Sequence, residues 1–276
     1  VIVAGGYKVE QIRDYFRDAN VDFDVRIVPE DEPLGTGGAL GNCRDVISGQ
    51  FACFNGDIFS SLNVGEMLEQ HKMMNVKGTL ALWEVEDPTR FGIVGIDEKR
   101  QITQFKEKPK PEEVFSNLIN AGSYLLEEEV FEIMPKGKHS LERDVFPILA
   151  EEGYLAGFPF EGYFIDAGTP QSWHQGVLQC IESNRFSSGS VSNGSWHRKE
   201  VSTALNSMIE QGCMIEGKVS DSTVLEGAKI SAGAIVQGCL VGRGATIGSN
   251  AYLENVIIDH HAVIPSGYKQ TQGSFN

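Results

Sequence analysis

The chain has 276 residues, 41% of them hydrophobic, and a formal net charge of −15 at pH 7. This length is enough for one large domain or two, and the acidic surplus argues against nucleic acid or an anionic membrane as a general partner, because both require a basic face. No apolar run approaches the roughly eighteen residues of a membrane span, and the start shows no signal-peptide pattern, so we expect a soluble, cytoplasmic protein.

The chain opens with VIVAGGYKVEQIRDYF, an apolar strand followed by two glycines and a helical pattern. A phosphate loop is one interpretation, because a helix N-terminus after a glycine turn suits an anion. The third glycine of the dinucleotide fingerprint and the Lys-Ser/Thr pair of the P-loop are both missing, which favours an ordinary strand-to-helix turn. Because the sequence starts at Val1 inside an apolar strand, we expect further sequence upstream.

Apolar runs alternate with helical patterns over residues 1–183, which predicts an α/β domain with a mixed, mostly parallel sheet. Helical patterns cover KVEQIRDYFRDA, ALGNCRDVI, residues 64–73 and SLERDVFPILAEEG, and a closing helix is predicted from Pro170 to Ser183. The run KGTLALWEVE predicts a central strand. FGIVGIDEKRQITQFKEKP alternates around a DEKR turn, as a hairpin does.

Residues 184–207 contain the small, polar run NRFSSGSVSNGS and are predicted to be a linker. Over residues 208–276, apolar residues recur about every six positions, a period typical of hexapeptide repeats. We therefore predict a short, left-handed parallel β-helix, with an ordinary β-domain as the alternative. Its open ends favour a homo-oligomer.

Two acidic residues are candidates for a metal site. Asp57 and Asp166 each follow an apolar strand and adjoin a glycine turn, and such carboxylates at strand ends can face the ligand crevice of an α/β sheet. Together they would form a hard oxygen site suited to Mg²⁺, although Asp57 can also be read as a helix N-cap. Five scattered cysteines without C-x-x-C spacing argue against a zinc site.

Three further motifs admit both a functional and a structural interpretation. Lys108, in FKEKP beside Glu107, can hold a phosphate or can belong to an exposed charged turn. PLGTGGAL can admit a base or a phosphate, or can be a plain glycine-rich turn. His260 and His261 can serve as an acyltransferase base or be exposed coil residues.

In order, the motifs PLGTGGAL, FNGD, FGIV, FKEKP, INAGSYLL, SLERDVFP and EGYFIDAGTP, followed by hexapeptide repeats, resemble the sugar-1-phosphate nucleotidyltransferases. The resemblance implies a Rossmann-like domain that joins an NTP to a sugar 1-phosphate and releases pyrophosphate. In such in-line transfer the protein mainly aligns two anions and neutralises charge. GTGG resembles the guanylyltransferases acting on mannose- or heptose-type phosphates, with UTP or dTTP and glucose 1-phosphate as alternatives.

The resemblance assigns roles residue by residue. It implies that Asp57 and Asp166 bind the catalytic Mg²⁺ and that Lys108 contacts the sugar phosphate. The implied sugar contacts are Gly92, Glu107, Asn120 and Gly122. The implied nucleotide contacts are Glu30, Pro33, Leu34, Gly35, Thr36 and Gly56. It leaves the role of Glu142 open.

The family's opening motif, G-G-x-G-T-R, is missing from the sequence, and VIVAGGYKVEQIRDYF corresponds to the family's second strand and helix. We therefore expect about fifty further residues upstream, one strand-loop-helix unit and its connection. We also expect that this chain alone does not transfer nucleotides, whereas the full-length protein does. The alternatives are a bifunctional enzyme whose β-helix acetylates an amino sugar and a non-catalytic regulatory subunit.

Overall fold

The computed structural model of the protein describes residues 1–19, 21–183, 194–197 and 204–276. These residues divide into two units, Val1–Phe164 and Ile165–Asn276. Most of the linker predicted over residues 184–207, namely residues 184–193 and 198–203, lies outside the described residues. Among the described residues, no helix is long and apolar enough to cross a membrane.

The helical patterns of the sequence are confirmed, with small shifts in their bounds. The α-helices are α1 (Val9–Asp18), α2 (Gly35–Asn42), α3 (Val64–Met74), α4 (Val130–Ile133), α5 (Phe146–Glu151) and α6 (Pro170–Glu182). Short 3-10 turns cover Arg44–Val46 and Pro111–Glu113, and a π-helical turn covers Leu141–Val145. The π turn and α5 together form the segment for which a single helix was predicted, and Pro147 lies in the first turn of α5.

The first ten strands are β1 (Ile2–Gly5), β2 (Arg26–Pro29), β3 (Phe51–Phe54), β4 (Ile58–Ser60), β5 (Gly78–Glu84), β6 (Gly92–Ile96), β7 (Ile102–Glu107), β8 (Leu118–Leu126), β9 (Leu155–Pro159) and β10 (Phe164–Asp166). The main sheet has the order β7-β6-β8-β5-β9, and β3 also pairs with β8. The predicted β6–β7 hairpin and the central position of β5 are confirmed.

The mixed sheet is confirmed, but it is not mostly parallel as the sequence predicted. Strands β1 and β2 pair in parallel, as do β5 and β9. Strand β8 runs antiparallel to β3, β5 and β6. In the described part of the main sheet, antiparallel pairs therefore outnumber parallel ones, because β8 is antiparallel to its three partners and β6 and β7 form a hairpin.

The core of the first unit lies between this sheet and the helices packed on it. Its fully buried side chains include Leu80, Leu82, Ile102, Tyr124, Leu126, Phe146, Leu149 and Leu155. Strand β3 is only half-buried, and its last residue, Phe54, is 53% exposed. The residues that follow β3 therefore emerge at an open surface of the unit.

The second unit contains the predicted solenoid. Its strands are β11 (Gly194–His197), β12 (Ala204–Leu205), β13 (Ser207–Glu210), β14 (Met214–Ile215), β15 (Lys218–Ser220), β16 (Thr223–Val224), β17 (Lys229–Ile230), β18 (Ile235–Gln237), β19 (Leu240–Val241), β20 (Thr246–Ile247), β21 (Tyr252–Glu254), β22 (Val256–Ile258), β23 (Val263–Ile264), β24 (Lys269–Gln270) and β25 (Gly273–Phe275). Apart from β11, which is antiparallel to β13, the described pairs are parallel and form three sheets. The parallel β-solenoid predicted from the hexapeptide pattern is confirmed.

The register explains why the apolar spacing alternates between six and five. Val224 pairs with Val241, which pairs with Ile258, so one coil contains 17 residues. Ile230, Ile247 and Ile264 repeat this spacing on a second sheet. Two steps of six and one of five therefore complete one triangular coil, and the apolar side chains stack in its interior.

Helix α6, which the sequence assigned to the first domain, packs within the second unit. Val177 and Ile181 lie against Met208 of the solenoid. His174 Nδ1 lies 2.8 Å from the hydroxyl of Thr223, and burial lowers the pKa of this histidine. The helix therefore covers one face of the first coils through both apolar and polar contacts.

Candidate active site

The register of three strands brings the predicted sugar contacts into one row. Glu107 at the end of β7 pairs with Gly92 of β6. On the next strand pair, Ile93 pairs with Ile119, so their neighbours Gly92 and Asn120 share the opposite face of the sheet. Glu107, Gly92 and Asn120 therefore lie across β7, β6 and β8 on one face.

Gly92 makes room for the carboxylate of Glu107. A Cβ atom at residue 92 would lie 2.8 Å from Glu107 Oε2, so a larger residue would displace this side chain. The Glu107 side chain is only 16% exposed. Burial and the charge of Glu142 raise the pKa of Glu107, while Lys108 and Arg143 act in the opposite direction.

Lys108 leaves the end of β7 in an unusual backbone conformation. Its φ angle is +46°, in the left-handed region, and Pro109 follows it. Its backbone N–H donates to the carbonyl of Phe91 at 2.9 Å. The side chain is 61% exposed, and its Nζ lies 3.9 Å from Glu107 Oε1. The ammonium group is therefore held beside the row but remains open to a ligand.

Strand β3 ends next to the same row. The backbone N–H of Asn55 donates to the carbonyl of Gly122 at 2.8 Å. Gly122 has a φ angle of +64°, and a Cβ atom there would lie 2.6 Å from Asn55 Nδ2, so both conformation and space require glycine. Gly56 and the exposed Asp57 follow directly and leave the sheet beside the sugar-contact strand β8.

The predicted nucleotide-binding segment forms a tight loop into α2. Glu30 Oε2 accepts a hydrogen bond from the backbone N–H of Leu34 at 3.0 Å, which closes the loop around the exposed Pro33. Helix α2 begins at Gly35, inside the segment expected to be a turn. Glu30, Pro33, Leu34, Gly35 and Thr36 thus lie in one loop and the first turn of α2.

The glycines of this loop are explained by protein packing. The backbone N–H groups of Gly37 and Gly38 donate to the carbonyl of His139 at 3.1 and 3.2 Å. Gly35 has a φ angle of +75°, and a Cβ atom there would lie 2.6 Å from the same carbonyl. Two helix N-terminal donors are therefore already used, and the close approach is to residue 139 of the chain itself.

The side chain of Thr36 points to Glu142, a contact that sequence reasoning missed. Thr36 Oγ1 donates to Glu142 Oε2 at 2.6 Å and accepts from the backbone N–H of Leu141 at 3.0 Å. Tyr124, which is fully buried, donates its hydroxyl to Glu142 Oε1 at 3.5 Å. Asn120 and Tyr124 are four residues apart on one strand face, a spacing that was visible in the sequence.

Asp166 is the last residue of β10 and belongs to the second unit. Its Oδ1 accepts a hydrogen bond from the backbone N–H of Gly168 at 3.0 Å. Thr169 then caps α6, with its side chain accepting from the N–H of Ser172. The Asp166 carboxylate is exposed and precedes a turn that its own hydrogen bond shapes.

The type of ligand atom indicates which metal ion a side chain can bind. Among the described residues, no group of three or more His, Cys, Asp or Glu side chains could hold a metal ion. Asp57 and Asp166 are hard, exposed oxygen donors in separate units. Each carboxylate is of the type that Mg²⁺ takes, since this ion commonly binds one or two carboxylates and completes its octahedron with phosphates and water.

His260 and His261 lie in a turn of the solenoid. His260 Nδ1 accepts a hydrogen bond from the backbone N–H of Arg243 at 2.9 Å. His261 has a φ angle of +61° and stacks on Gly244 of the preceding coil, where a Cβ atom would lie 2.6 Å from His261 Nδ1. Both side chains are exposed, and these contacts support the interpretation of coil residues.

Comparison with known proteins gives two family matches. The Nucleotidyl transferase family matches residues 1–183. The family of GlmU-like, C-terminal hexapeptide domains matches residues 193–270. A probable mannose-1-phosphate guanylyltransferase 1 of Oryza sativa subsp. japonica is 30% identical over 273 residues, which are 96% of this chain and 74% of the relative.

Two further comparisons agree. A mannose-1-phosphate guanylyltransferase of Mycobacterium tuberculosis is 30% identical over 264 residues, 94% of this chain and 66% of the relative. The crystal structure of HddC from Yersinia pseudotuberculosis complexed with GMP-PN superposes with a TM-score of 0.54 at 30% identity, covering 63% of this chain and 76% of HddC. The chain therefore belongs to the nucleotidyl transferase family.

Proposed function

We propose that the protein transfers a nucleotidyl group from an NTP to a sugar 1-phosphate and releases pyrophosphate, with GTP and mannose 1-phosphate as its preferred pair. The observation that carries the proposal is the row of Glu107, Gly92 and Asn120, with Lys108 at its end. The preferred pair is supported by the names of the relatives, which are mannose-1-phosphate guanylyltransferases.

The row has the chemistry that a sugar phosphate needs. A carboxylate and a side-chain amide offer acceptors and donors to sugar hydroxyls, and the exposed ammonium of Lys108 offers a charge-assisted contact to the phosphate. Gly92 leaves the sheet surface without a side chain between Glu107 and Asn120. A sugar ring can therefore lie along the row with its hydroxyls near Glu107 and Asn120 and with the Lys108 ammonium at one end.

The nucleotide is proposed to lie at the loop from Glu30 to Thr36 and at Gly56. Glu30 uses Oε2 to hold the N–H of Leu34. A carboxylate is an acceptor-only group, and guanine offers neighbouring N–H donors on its Watson–Crick edge. Gly56 adds no side chain beside Asp57, so a phosphate group can approach the backbone there.

The chain's own residues would align the two substrates for in-line attack of the sugar phosphate oxygen on the α-phosphorus. Lys108 orients the attacking phosphate, and Glu107 with Asn120 fixes the ring. Asp57 and Asp166 would hold Mg²⁺, which when bound stabilises the charge on the phosphates.

The test is a substrate matrix with the full-length protein. GTP, UTP and dTTP are each combined with mannose 1-phosphate and glucose 1-phosphate in the presence of Mg²⁺, and pyrophosphate release is measured. We expect the highest turnover with GTP and mannose 1-phosphate and complete loss in Asp166→Asn. Absence of turnover with every pair would refute the transfer reaction, and a preference for another pair would refute only the assignment of substrates.

A further inference from the structure

Glu142 lies between the two proposed substrate sites. It belongs to the π-helical turn Leu141–Val145, which begins after Ser140. Its Oε2 accepts hydrogen bonds at 2.6 Å from the hydroxyls of both Thr36 and Ser140. Thr36 is in turn fixed by the N–H of Leu141 at 3.0 Å. One carboxylate oxygen therefore anchors the first turn of α2, and with it the proposed nucleotide loop.

The other oxygen of Glu142 faces the sugar row. Tyr124 donates its hydroxyl to Glu142 Oε1 over a long 3.5 Å, and the same hydroxyl accepts from Asn120 Nδ2 at 3.0 Å. Asn120 Oδ1 accepts from the backbone N–H of Gly122 at 3.2 Å. A continuous set of hydrogen bonds thus runs from Thr36 through Glu142 and Tyr124 to Asn120.

The neighbours of Glu142 allow its carboxylate to act as a fixed hydrogen-bond acceptor. Tyr124 is fully buried, and desolvation together with the charge of Glu142 raises its pKa well above the ordinary value, so it remains a neutral donor. The charges of Glu142, Lys108 and Arg143 act on the pKa of Glu107, which Glu142 raises and the two cations lower. Glu142 is therefore linked to one predicted sugar residue, Asn120, through the Tyr124 hydroxyl, and its charge acts on another, Glu107.

We propose that Glu142 is a positioning residue that couples the nucleotide loop to the sugar pocket. A sugar phosphate that fixes Asn120 also fixes Tyr124, Glu142 and Thr36, so the loop is already ordered when the nucleotide binds. The conformational entropy of the loop and the hydrogen-bond network is lost only once. Binding of either substrate therefore increases the affinity for the other. The inference rests on the proposed function and adds to it a mutual dependence of the two sites.

The experiment is isothermal titration of the full-length protein with GMPCPP and Mg²⁺, with and without saturating mannose 1-phosphate. The methylene bridge between the α- and β-phosphates of GMPCPP blocks transfer, so both ligands can be present at equilibrium. We expect mannose 1-phosphate to tighten GMPCPP binding about 5-fold or more, the lower end of typical coupling between sites. If another pair is preferred in the turnover assay, its methylene analogue and sugar phosphate replace these probes.

Four variants separate coupling from general damage. Thr36→Val and Tyr124→Phe each remove one hydroxyl of the network, and we expect the tightening to fall towards 1-fold in both. Thr36→Ser retains the hydroxyl and should retain the tightening. Thr103→Val is the matched control, because its hydroxyl lies on exposed β7 and bonds only to the carbonyl of Gly95 in the described contacts.

The outcomes distinguish the inference from the function on which it rests. A wild-type protein that turns over substrate but shows no tightening would overturn the coupling and leave the transfer reaction intact. Tightening that survives in folded Thr36→Val protein would also overturn it. Absence of turnover with every substrate pair would instead refute the proposed function. Because the Thr36 variants leave the Glu142 carboxylate in place, the test does not depend on a Glu142 variant that folds.

Discussion

Lys108 combines a strained backbone with an exposed charge. A lysine with φ of +46° directly before a proline is in a region that side chains rarely adopt, at a cost of about 1–3 kcal/mol. The hydrogen bond from its N–H to Phe91 keeps it there. Strained backbone conformations often occur at functional sites, and the side chain of Lys108 is 61% exposed and open to a ligand.

Replacing Lys108 tests this role directly. We expect Lys108→Ala to lower kcat/KM of the full-length protein by about 10²- to 10³-fold, the effect of removing one preorganised charge-stabilising group. Its unfolding free energy should change by less than about 0.5 kcal/mol, because the side chain is 61% exposed and alanine keeps the same Cβ in the same backbone conformation. Lys106→Ala is the control, since Lys106 is two residues away and forms an ion pair with Glu113 at 2.8 Å. Equal loss of activity in both variants would contradict the assignment.

Glu107 should make stability depend on pH. Folding raises its pKa above the ordinary 4.5, so the folded state disfavours the ionised form. The stabilisation by the protonated form is therefore present below pH 4.5 and is lost as the pH rises through the raised pKa. We expect Glu107→Gln to be more stable than the wild type at pH 7 and equally stable at low pH, as measured by urea denaturation.

Glu113 provides a control whose pKa is shifted in the opposite direction. The hydrogen bond from Lys106 lowers the pKa of Glu113, so Glu113→Gln should lose rather than gain stability at pH 7. A Glu107→Gln variant that is destabilised at pH 7 would show that its carboxylate is held favourably in the fold.

At the level of elements, α2 is positioned by close packing of its glycines. A Cβ atom at Gly37 would lie 2.6 Å from His139 Nε2, whereas one at Gly41, a turn later, would lie 3.7 Å from His139 Cε1. The helix therefore approaches residues 137–139 closely only at its first turn. This contact sets the position of the proposed nucleotide loop.

The two glycines form a matched pair for mutation. Gly37→Ala should destabilise the protein by about 1–3 kcal/mol, because the added methyl group overpacks the site against His139. Gly41→Ala should stabilise it by up to about 1 kcal/mol, because alanine is the better helix former. Thermal or urea denaturation of both variants measures the difference, and equal effects would contradict the packing argument.

The solenoid coils are stabilised by their stacked interior residues. Ile247 is fully buried between Ile230 and Ile264, while Val263 on the next strand is 66% exposed. We expect Ile247→Ala to cost about 2–5 kcal/mol through lost burial and a cavity, and Val263→Ala to change stability by less than about 0.5 kcal/mol. Denaturation monitored by circular dichroism compares the two, and a small effect at Ile247 would contradict the stacked core.

On the scale of the whole molecule, the last solenoid coil leaves an open edge. Strands β23, β24 and β25 each pair on one side only among the described residues, so backbone donors and acceptors face outwards. Such edges are covered in many proteins by another chain. We expect the full-length protein to have the mass of at least two chains by light scattering, and a monomeric mass across the micromolar range would contradict this.

The sequence alone determined the elements and their order. A period of 3.6 predicts helices α1, α3 and α6, a period of two predicts the β6–β7 hairpin, and a period of six predicts the solenoid. Each period indicates which side chains share a face. The coil of 17 residues follows from the same spacing once the strands are stacked. The motif order also led to the correct family before any contact was known.

Only the tertiary structure decided which distant residues meet. Thr36 and Glu142 are 106 positions apart, and no local pattern links a threonine in a glycine-rich loop to a glutamate in a π turn. For the same reason, local sequence patterns do not predict the antiparallel course of β8 or the packing of GTGG against His139. Local periodicity reports the environment of a side chain, whereas its partner is selected by the packing of the whole unit.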